Sequence, residues 1–120
     1  MAQRSTQRAL SWYLQRITGV FLLVFALGHY LMVHWTESSG HTFDATVARL
    51  QNPIYVFLYL GFVLLGFYHG LQGIWNIIRD FKLPKAVYTI SAVVLFVLGA
   101  YFVYLGFDTV LSVESWMNKP

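Results

Sequence analysis

Cysteine is absent from the 120 residues, so this chain can form neither a disulfide bond nor a thiolate metal site. Charged residues are also scarce, at 11% of the sequence, whereas a soluble domain carries about 25%. The formal net charge of +3 is too small for a nucleic-acid-binding surface. The sequence contains no glycine-rich phosphate loop and no nucleophile with an evident base. Catalysis by this chain alone is therefore not expected.

Hydrophobic residues make up 58% of the sequence and are concentrated in three long stretches. About 20 apolar residues suffice to cross the hydrocarbon core of a bilayer. The pattern predicts an all-α integral membrane protein with three transmembrane helices, at about residues 12–35, 53–79 and 85–111. These helices leave no room for a soluble domain, so we expect residues 1–120 to form a single transmembrane domain. The polar connection after the first helix could contain a short interfacial helix over residues 43–50.

The first stretch has an alternative interpretation as a signal peptide, since a basic flank precedes its apolar core. The stretch is too long for that assignment, and no small-residue cleavage site follows it. We therefore interpret it as a membrane-spanning helix.

Basic residues near the helix ends predict the orientation in the membrane. Six of them flank one side of the predicted bundle: Arg4, Arg8, Arg16, Arg79, Lys82 and Lys85. The opposite side has two, Arg49 and Lys119, beside several acidic residues. Lysine and arginine are enriched on the inner side of membrane proteins. The N-terminus is therefore predicted inside and the C-terminus outside.

The end of the second stretch, residues 68–81 (YHGLQGIWNIIRDF), combines an apolar helix with one polar edge. At about 100° per residue, His69, Gly73, Asn76 and Asp80 fall close to one line on a helix. His69 lies roughly 16 Å below the inner surface, and a neutral imidazole in a membrane interior suits haem iron. Gly73 would then leave flat space for the macrocycle. The alternative is a helix-packing surface of small residues around a hydrogen-bonded histidine.

The first stretch contains a second candidate ligand, His29, six residues before Trp35. His29 lies roughly 9 Å from the outer end of its helix, whereas His69 lies about 24 Å from the outer end of its own. This difference in depth is too large for both histidines to bind one haem within this chain. If both are ligands, they bind different haems, each completed by a partner chain. A hydrogen-bonded interior histidine is the alternative for His29.

Two charged residues are predicted near the inner surface: Arg16 in the first helix and Asp80 at the end of the second. Arg16 could form paired hydrogen bonds with a haem propionate, and together with Asp80 it could line a quinone headgroup pocket. Snorkelling of Arg16 and an interfacial charge at Asp80 are equally open interpretations. Of the remaining histidines, His34 is expected at the interface and His41 in an exposed loop.

Three motifs resemble the small cytochrome b membrane anchors of succinate dehydrogenase and fumarate reductase (complex II). HGLQGIWNIIRDF resembles the second-helix motif of that family, with its H-x-x-x-G spacing and terminal Asp-aromatic pair. QRITGV, at residues 15–20, resembles the arginine-containing entrance of the first helix. GHYLMVHW, at residues 28–35, resembles the H-x4-H segment of the two-haem class. Trp75 stands where the companion anchor has arginine, which favours the D-type anchor.

This resemblance implies that the chain is half of a heterodimeric anchor bundle in the cell inner (cytoplasmic) membrane. It implies two haem b groups, one ligated by His69 and an outer one by His29, each shared with the second membrane anchor subunit. Asp80 takes the place of an acidic residue beside the quinone pocket, and Phe81 replaces a tyrosine of some members. Flavoprotein and iron–sulfur subunits would dock on the inner face and deliver electrons from succinate to quinone.

Three other interpretations stay open: an anchor with a single haem at His69, a cofactor-free structural or assembly subunit, and a small transporter. The transporter is the least consistent with the sequence, because proton coupling would require paired acidic residues within the membrane.

Overall fold

A computed structural model describes residues 2–35, 41–113 and 115 of the chain, with the side chains of residues 2–5 left out. Within these ranges it consists of four helices and no strands: α1 (Ala2–Trp35), α2 (Phe43–Leu50), α3 (Pro53–Asp80) and α4 (Lys85–Leu111). Three of them are long and apolar enough to cross a membrane, over Thr6–Trp35, Pro53–Asp80 and Lys85–Leu111. The predicted all-α fold with three membrane-length helices is confirmed.

Two residues used in the orientation argument are not fully covered by this description. Lys119 lies outside the described residues, and of Arg4 only the backbone is described.

Helix α1 begins at Ala2, well before the expected start of the membrane segment at Trp12. The N-terminal flank contains neither proline nor glycine, so nothing in it interrupts a helix. Hydropathy marks the apolar part of a helix but not its polar extension. As a result Arg8 and Ser11 lie on the same rigid element as Arg16.

Local capping fixes both ends of α3. The side chain of Asn52 accepts a hydrogen bond from the Ile54 amide at 2.9 Å, and Pro53 occupies the first turn. At the other end the hydroxyl of Tyr88, on α4, donates to the carbonyl of Phe81. This contact fixes the short turn between α3 and α4.

Helix α3 lies between the other two long helices and packs against both of them. Two glycines of α4 allow the close approach of α3: a Cβ at Gly99 would overlap the Leu71 side chain, and one at Gly106 would lie 2.6 Å from Val63 Cγ1. Helix α2 also contacts α3.

Little of the apolar surface is covered within the chain. Among the described residues, four hydrophobic side chains are buried: Val33, Val47, Val110 and Val113. Large apolar side chains such as Phe57 and Phe96 are about three-quarters exposed, at 76% and 77%. Such a surface suits lipid tails or other apolar helices rather than water.

Candidate functional site

His69 lies where α3 crosses α1, with its imidazole against Gly19. A Cβ at Gly19 would lie 3.0 Å from His69 Cε1, which is tighter than nine in ten real Cβ contacts, so the ring would have to shift. Glycine at this position therefore permits the ring to approach α1. His69 itself is partly buried in this contact.

Thr18 forms a hydrogen bond with one nitrogen of the same ring. Its Oγ1 lies 3.1 Å from His69 Nδ1, and the residue is buried, at 6% exposure. The threonine oxygen also lies 2.7 Å from the carbonyl oxygen of Leu14. The other ring nitrogen, Nε2, makes no hydrogen bond with any residue in the described part of the chain.

The space beside Gly73 is occupied by Gln15, which corrects the expectation of a flat open face for a macrocycle there. Gln15 Nε2 donates to the His69 carbonyl at 3.0 Å and would lie 3.3 Å from a Cβ at Gly73. The periodicity of α3 placed Gly73 near His69 but could not show which side chain of α1 faces it. Gly70 is open, since a Cβ there would have no neighbour within 4 Å, but it lines a cavity between α3 and α4 to which His69 does not contribute.

The predicted polar edge of α3 faces α1 and is hydrogen-bonded to it. Gln72 Nε2 donates to Ser11 Oγ at 2.5 Å and also lies 3.2 Å from Asn76 Oδ1. Gln15 Oε1 is buried and has no partner among the described residues. Polar groups inside a membrane need such partners, because an unsatisfied group costs several kcal/mol there.

A polar cavity of about 420 Å³ lies between the beginning of α1 and the end of α3. We call it the polar cavity, and its lining residues are Arg8, Ser11, Trp12, Gln15, Arg16, Asn76, Arg79 and Asp80. The structure thus brings Arg16 and Asp80 to one cavity. The Arg16 guanidinium carbon lies 3.8 Å from the centroid of the Trp12 ring, in a cation–π contact. Three arginines and one aspartate give the cavity an excess of positive charge.

His29 lies at a second contact between α1 and α3, further along the bundle. Its Nδ1 lies 3.3 Å from the Tyr59 hydroxyl, and its ring stacks on Phe25 at a centroid distance of 6.5 Å. A small apolar cavity of about 190 Å³ lies beside the imidazole. Gly28 borders this cavity, and a Cβ there would have no neighbour within 4 Å.

The register of α1 against α3 gives the distance between the two histidines along the bundle. His69 contacts Thr18, whereas His29 contacts Tyr59. The two contact points are ten or eleven residues apart on each helix, which corresponds to about 15–16 Å. This separation agrees with the difference in depth expected from the sequence.

The two remaining histidines are both exposed. The structure also brings them together, which the sequence did not indicate: the ring centroids of His34 and His41 are 5.3 Å apart. The ring of Tyr30 lies 4.5 Å from that of His34. No group of three or more metal-ligating side chains occurs in the described part of the chain.

Comparison with known proteins identifies the family to which this chain belongs. The sequence profile of a family described as "Succinate dehydrogenase/Fumarate reductase transmembrane subunit" matches residues 3–89. The chain belongs to this family. The matched residues contain α2, α3 and all of α1 except its first residue, and therefore both histidine sites and the polar cavity.

Three family relatives illustrate the likeness. The succinate dehydrogenase hydrophobic membrane anchor subunit of Thermoplasma acidophilum is 28% identical over 107 residues, which cover 87% of this chain and 84% of the relative. That of Archaeoglobus fulgidus is 26% identical over 77 residues, covering 64% and 66%. The succinate dehydrogenase 2 membrane subunit SdhC of Mycobacterium tuberculosis is 30% identical over 108 residues, covering 88% and 78%. The matches of 107 and 108 residues extend into α4, a helix for which the resemblance in the sequence rested on hydropathy alone.

Family membership and the three long apolar helices together make this a multi-pass membrane protein. His69, His29, Arg16 and Asp80 stay predictions as cofactor-binding residues, and sequence reasoning missed Thr18 and Tyr59, which contact the imidazoles of His69 and His29 respectively. A usable signal was present on α1, where Ser11, Gln15 and Thr18 recur at helical spacing on one face. That stripe on α1 faces the predicted polar edge of α3 and forms hydrogen bonds with it.

Proposed function

We propose that this chain is a membrane anchor subunit of succinate:quinone oxidoreductase, respiratory complex II, and that it binds haem b together with a partner anchor. The family and the names of the relatives support the anchor role. One observation carries the haem assignment: His69 has Nδ1 hydrogen-bonded to Thr18 and leaves Nε2 without a partner among the described residues.

The residues around His69 suit an axial ligand of haem iron. A metal-ligating histidine nearly always has its second ring nitrogen hydrogen-bonded, which orients the ring and raises its basicity. When bound, haem would supply one-electron transfer. His69 would provide one axial ligand, and the second would come from the partner anchor.

We extend the proposal to a second, outer haem at His29, which corresponds to the two-haem class. The separation of about 15–16 Å along the bundle supports two haems rather than one shared group. Gly28 and His29 line the same small cavity, which provides open space beside the imidazole. Trp75, in place of the arginine of the companion anchor, supports the D-type assignment, although one relative bears the name SdhC.

The polar cavity is the proposed quinone site. Arg16 would donate hydrogen bonds to a quinone carbonyl oxygen or to a haem propionate. Asp80 is exposed at the end of α3 and would exchange protons between water and the reduced quinone. The iron–sulfur and flavoprotein subunits would dock at this end of the bundle, on the inner face of the cytoplasmic membrane. The N-terminus would then lie inside and the C-terminus outside.

The test is the haem-to-flavin ratio of the purified complex. We expect His69→Ala and His29→Ala each to remove a different one of the two haems, because each change deletes one axial ligand. His41→Ala is the control, since that side chain is exposed and its described ring contact is with His34 rather than with either proposed ligand. Full haem content in both His69→Ala and His29→Ala would contradict the proposal. The complete absence of a reduced α-band in the wild type would support a cofactor-free anchor instead.

A single-haem anchor is the second candidate function, and the hydrogen bond at His29 favours it. Thr18 lies 2.7 Å from a backbone carbonyl as well as 3.1 Å from His69, whereas no second acceptor is described for the Tyr59 hydroxyl beside His29. Tyr59 can therefore donate to His29 and leave its Nε2 protonated, in a form that does not bind iron. In that case His29→Ala would leave the haem-to-flavin ratio unchanged.

A further inference from the structure

We infer that Thr18 is a positioning residue for His69: it fixes the imidazole as the Nδ1–H tautomer and so presents Nε2 as the ligating nitrogen. The inference rests on the proposed haem at His69. It concerns a side chain of α1 that would touch neither haem nor quinone and would act only through the imidazole.

The proton of the Thr18 hydroxyl decides the direction of the hydrogen bond. Oγ1 lies 2.7 Å from the Leu14 carbonyl oxygen and 3.2 Å from that of Gln15, and carbonyl oxygens only accept hydrogen bonds. A hydroxyl has one proton, so Thr18 donates it to its own helix. The oxygen can then only accept from His69 Nδ1, at 3.1 Å. His69 must therefore carry its proton on Nδ1.

The opposite arrangement is disfavoured by the short contact within α1. If Thr18 donated to His69 Nδ1, two acceptor oxygens would face each other at 2.7 Å with no proton between them. The residue is 6% exposed, so water could not relieve that repulsion.

Packing holds the ring in the same orientation. The imidazole lies against Gly19, where a Cβ would come within 3.0 Å of Cε1. A flip of the ring would replace Nδ1 by a carbon atom opposite Thr18 and lose the hydrogen bond. Thr18 is β-branched and in a helix, so its own side chain has few accessible rotamers. Both partners of the hydrogen bond are thus held rigidly.

A hydrogen bond donated by a ligating histidine makes the imidazole a more basic ligand, which stabilises ferric iron. We expect Thr18→Val, which has nearly the same shape but no acceptor, to raise the reduction potential of the haem at His69. It should also change the low-spin ferric EPR signal of that haem and weaken haem binding by about 10-fold. Thr18→Ser keeps the oxygen and should restore all three properties.

The matched control is Thr109→Val. The hydroxyl of Thr109 also donates to the carbonyl four residues earlier, Leu105, at 2.8 Å, but Thr109 is exposed on α4. This variant has the same chemical change without a histidine partner, so neither the potential nor the EPR signal should move. The measurements are a redox titration of the α-band and EPR of the purified complex.

Each outcome decides the inference. An unchanged potential and EPR signal in Thr18→Val, with full haem content, would overturn it and leave Thr18 as a helix-packing residue. If Thr18→Val assembles without the haem, retention of haem in Thr18→Ser supports the inference, and loss in both variants overturns it. Failure of the proposed function is recognised separately, because His69→Ala would then keep all haem. An unchanged Thr18→Val with haem loss in His69→Ala contradicts the inference alone.

Discussion

Two imidazoles of this chain are hydrogen-bonded at the same nitrogen, each by a hydroxyl group from the opposite helix. For His69 the hydroxyl is that of Thr18, whose proton is committed to a backbone carbonyl. For His29 it is that of Tyr59, at 3.3 Å, whose proton is not committed to any described acceptor. The chemical state of His69 is therefore determined within this chain, whereas that of His29 depends on what binds next to it.

This difference leads to a prediction for Tyr59→Phe. If haem binds His29, the tyrosine oxygen accepts from Nδ1, and its removal should lower the affinity for the outer haem by about 10-fold. The haem at His69 should keep its potential, since its hydrogen bond to Thr18 lies about 15 Å away along the bundle. Spectra of the purified complex at graded potentials resolve the two haems.

Tyr55→Phe is the control for this change. Tyr55 lines the same cavity as His29, but the hydrogen bond described for the imidazole comes from Tyr59 and not from Tyr55. Equal effects of the two variants would show that cavity packing matters rather than the hydrogen bond. An effect of Tyr59→Phe on the haem at His69 alone would contradict the assignment of His29.

At the scale of single residues, the sequence predicted groups with unusual chemistry and missed those with ordinary chemistry. His69 and Asp80 were recognised because an ionisable residue in an apolar helix is rare. Thr18 and Gln15 were missed because small polar residues in a helix have many possible roles. Gly73 was misinterpreted because a helical wheel gives the direction of a residue but not its neighbour on the next helix.

At the scale of helices, the boundaries follow from local chemistry that the sequence displays. Pro53 and Pro84 mark the starts of α3 and α4, and the region expected to form a short helix, 43–50, is α2 (Phe43–Leu50). The segment predicted from about residue 12 concerns the membrane span and not the helix start, and α1 extends N-terminal to it as far as Ala2. Packing between helices was less visible, since it depends on which glycines face a neighbour.

Gly106 of α4 permits a test of that packing. A Cβ at this position would lie 2.6 Å from Val63 Cγ1, and a β-branched valine in a helix has little freedom to move aside. We expect Gly106→Ala to destabilise the α3–α4 pair by about 1–3 kcal/mol, as overpacking does. Thermal unfolding of the purified complex, followed by loss of the haem spectrum, measures the effect.

Gly61→Ala is the matched control, because a Cβ at Gly61 would have no neighbour within 4 Å. Alanine is favoured over glycine in a helix by about 1 kcal/mol, so this variant should be neutral or more stable. The two identical substitutions should therefore differ in sign. Equal stability of both variants would mean that α3 and α4 do not pack through Gly106.

At the scale of the whole molecule, polar and apolar surfaces are separated along the bundle. The polar cavity, with Arg8, Arg16 and Arg79, lies at the end where α1 begins and α3 ends. The side chains around the three long helices are largely apolar and exposed. The apolar surface was predictable from composition, and a pocket lined by Arg16 and Asp80 was predicted from the sequence. The contribution of Arg8 and Ser11 was not, because it requires the N-terminal part of α1 to lie beside the end of α3.

The charge distribution predicts which side of the membrane contains that cavity, and the absence of cysteine makes the test simple. Lys82, in the turn next to Asp80, and Asp44, in α2, are both exposed and belong to opposite ends of the bundle. With the N-terminus inside, a membrane-impermeant thiol reagent should label Asp44→Cys in right-side-out vesicles. It should label Lys82→Cys only after the vesicles are solubilised and denatured.

The opposite labelling pattern would place the polar cavity on the outer side of the membrane. Quinone bound there could not receive electrons from subunits docked on the inner face, because each step between redox centres requires close approach. Such a result would therefore contradict the proposed quinone site while leaving haem ligation by His69 unaffected. Labelling of both variants in sealed vesicles would instead indicate leaky membranes. A soluble thiol-containing protein enclosed in the vesicles is the control for leakage, because the wild-type chain has no thiol to label.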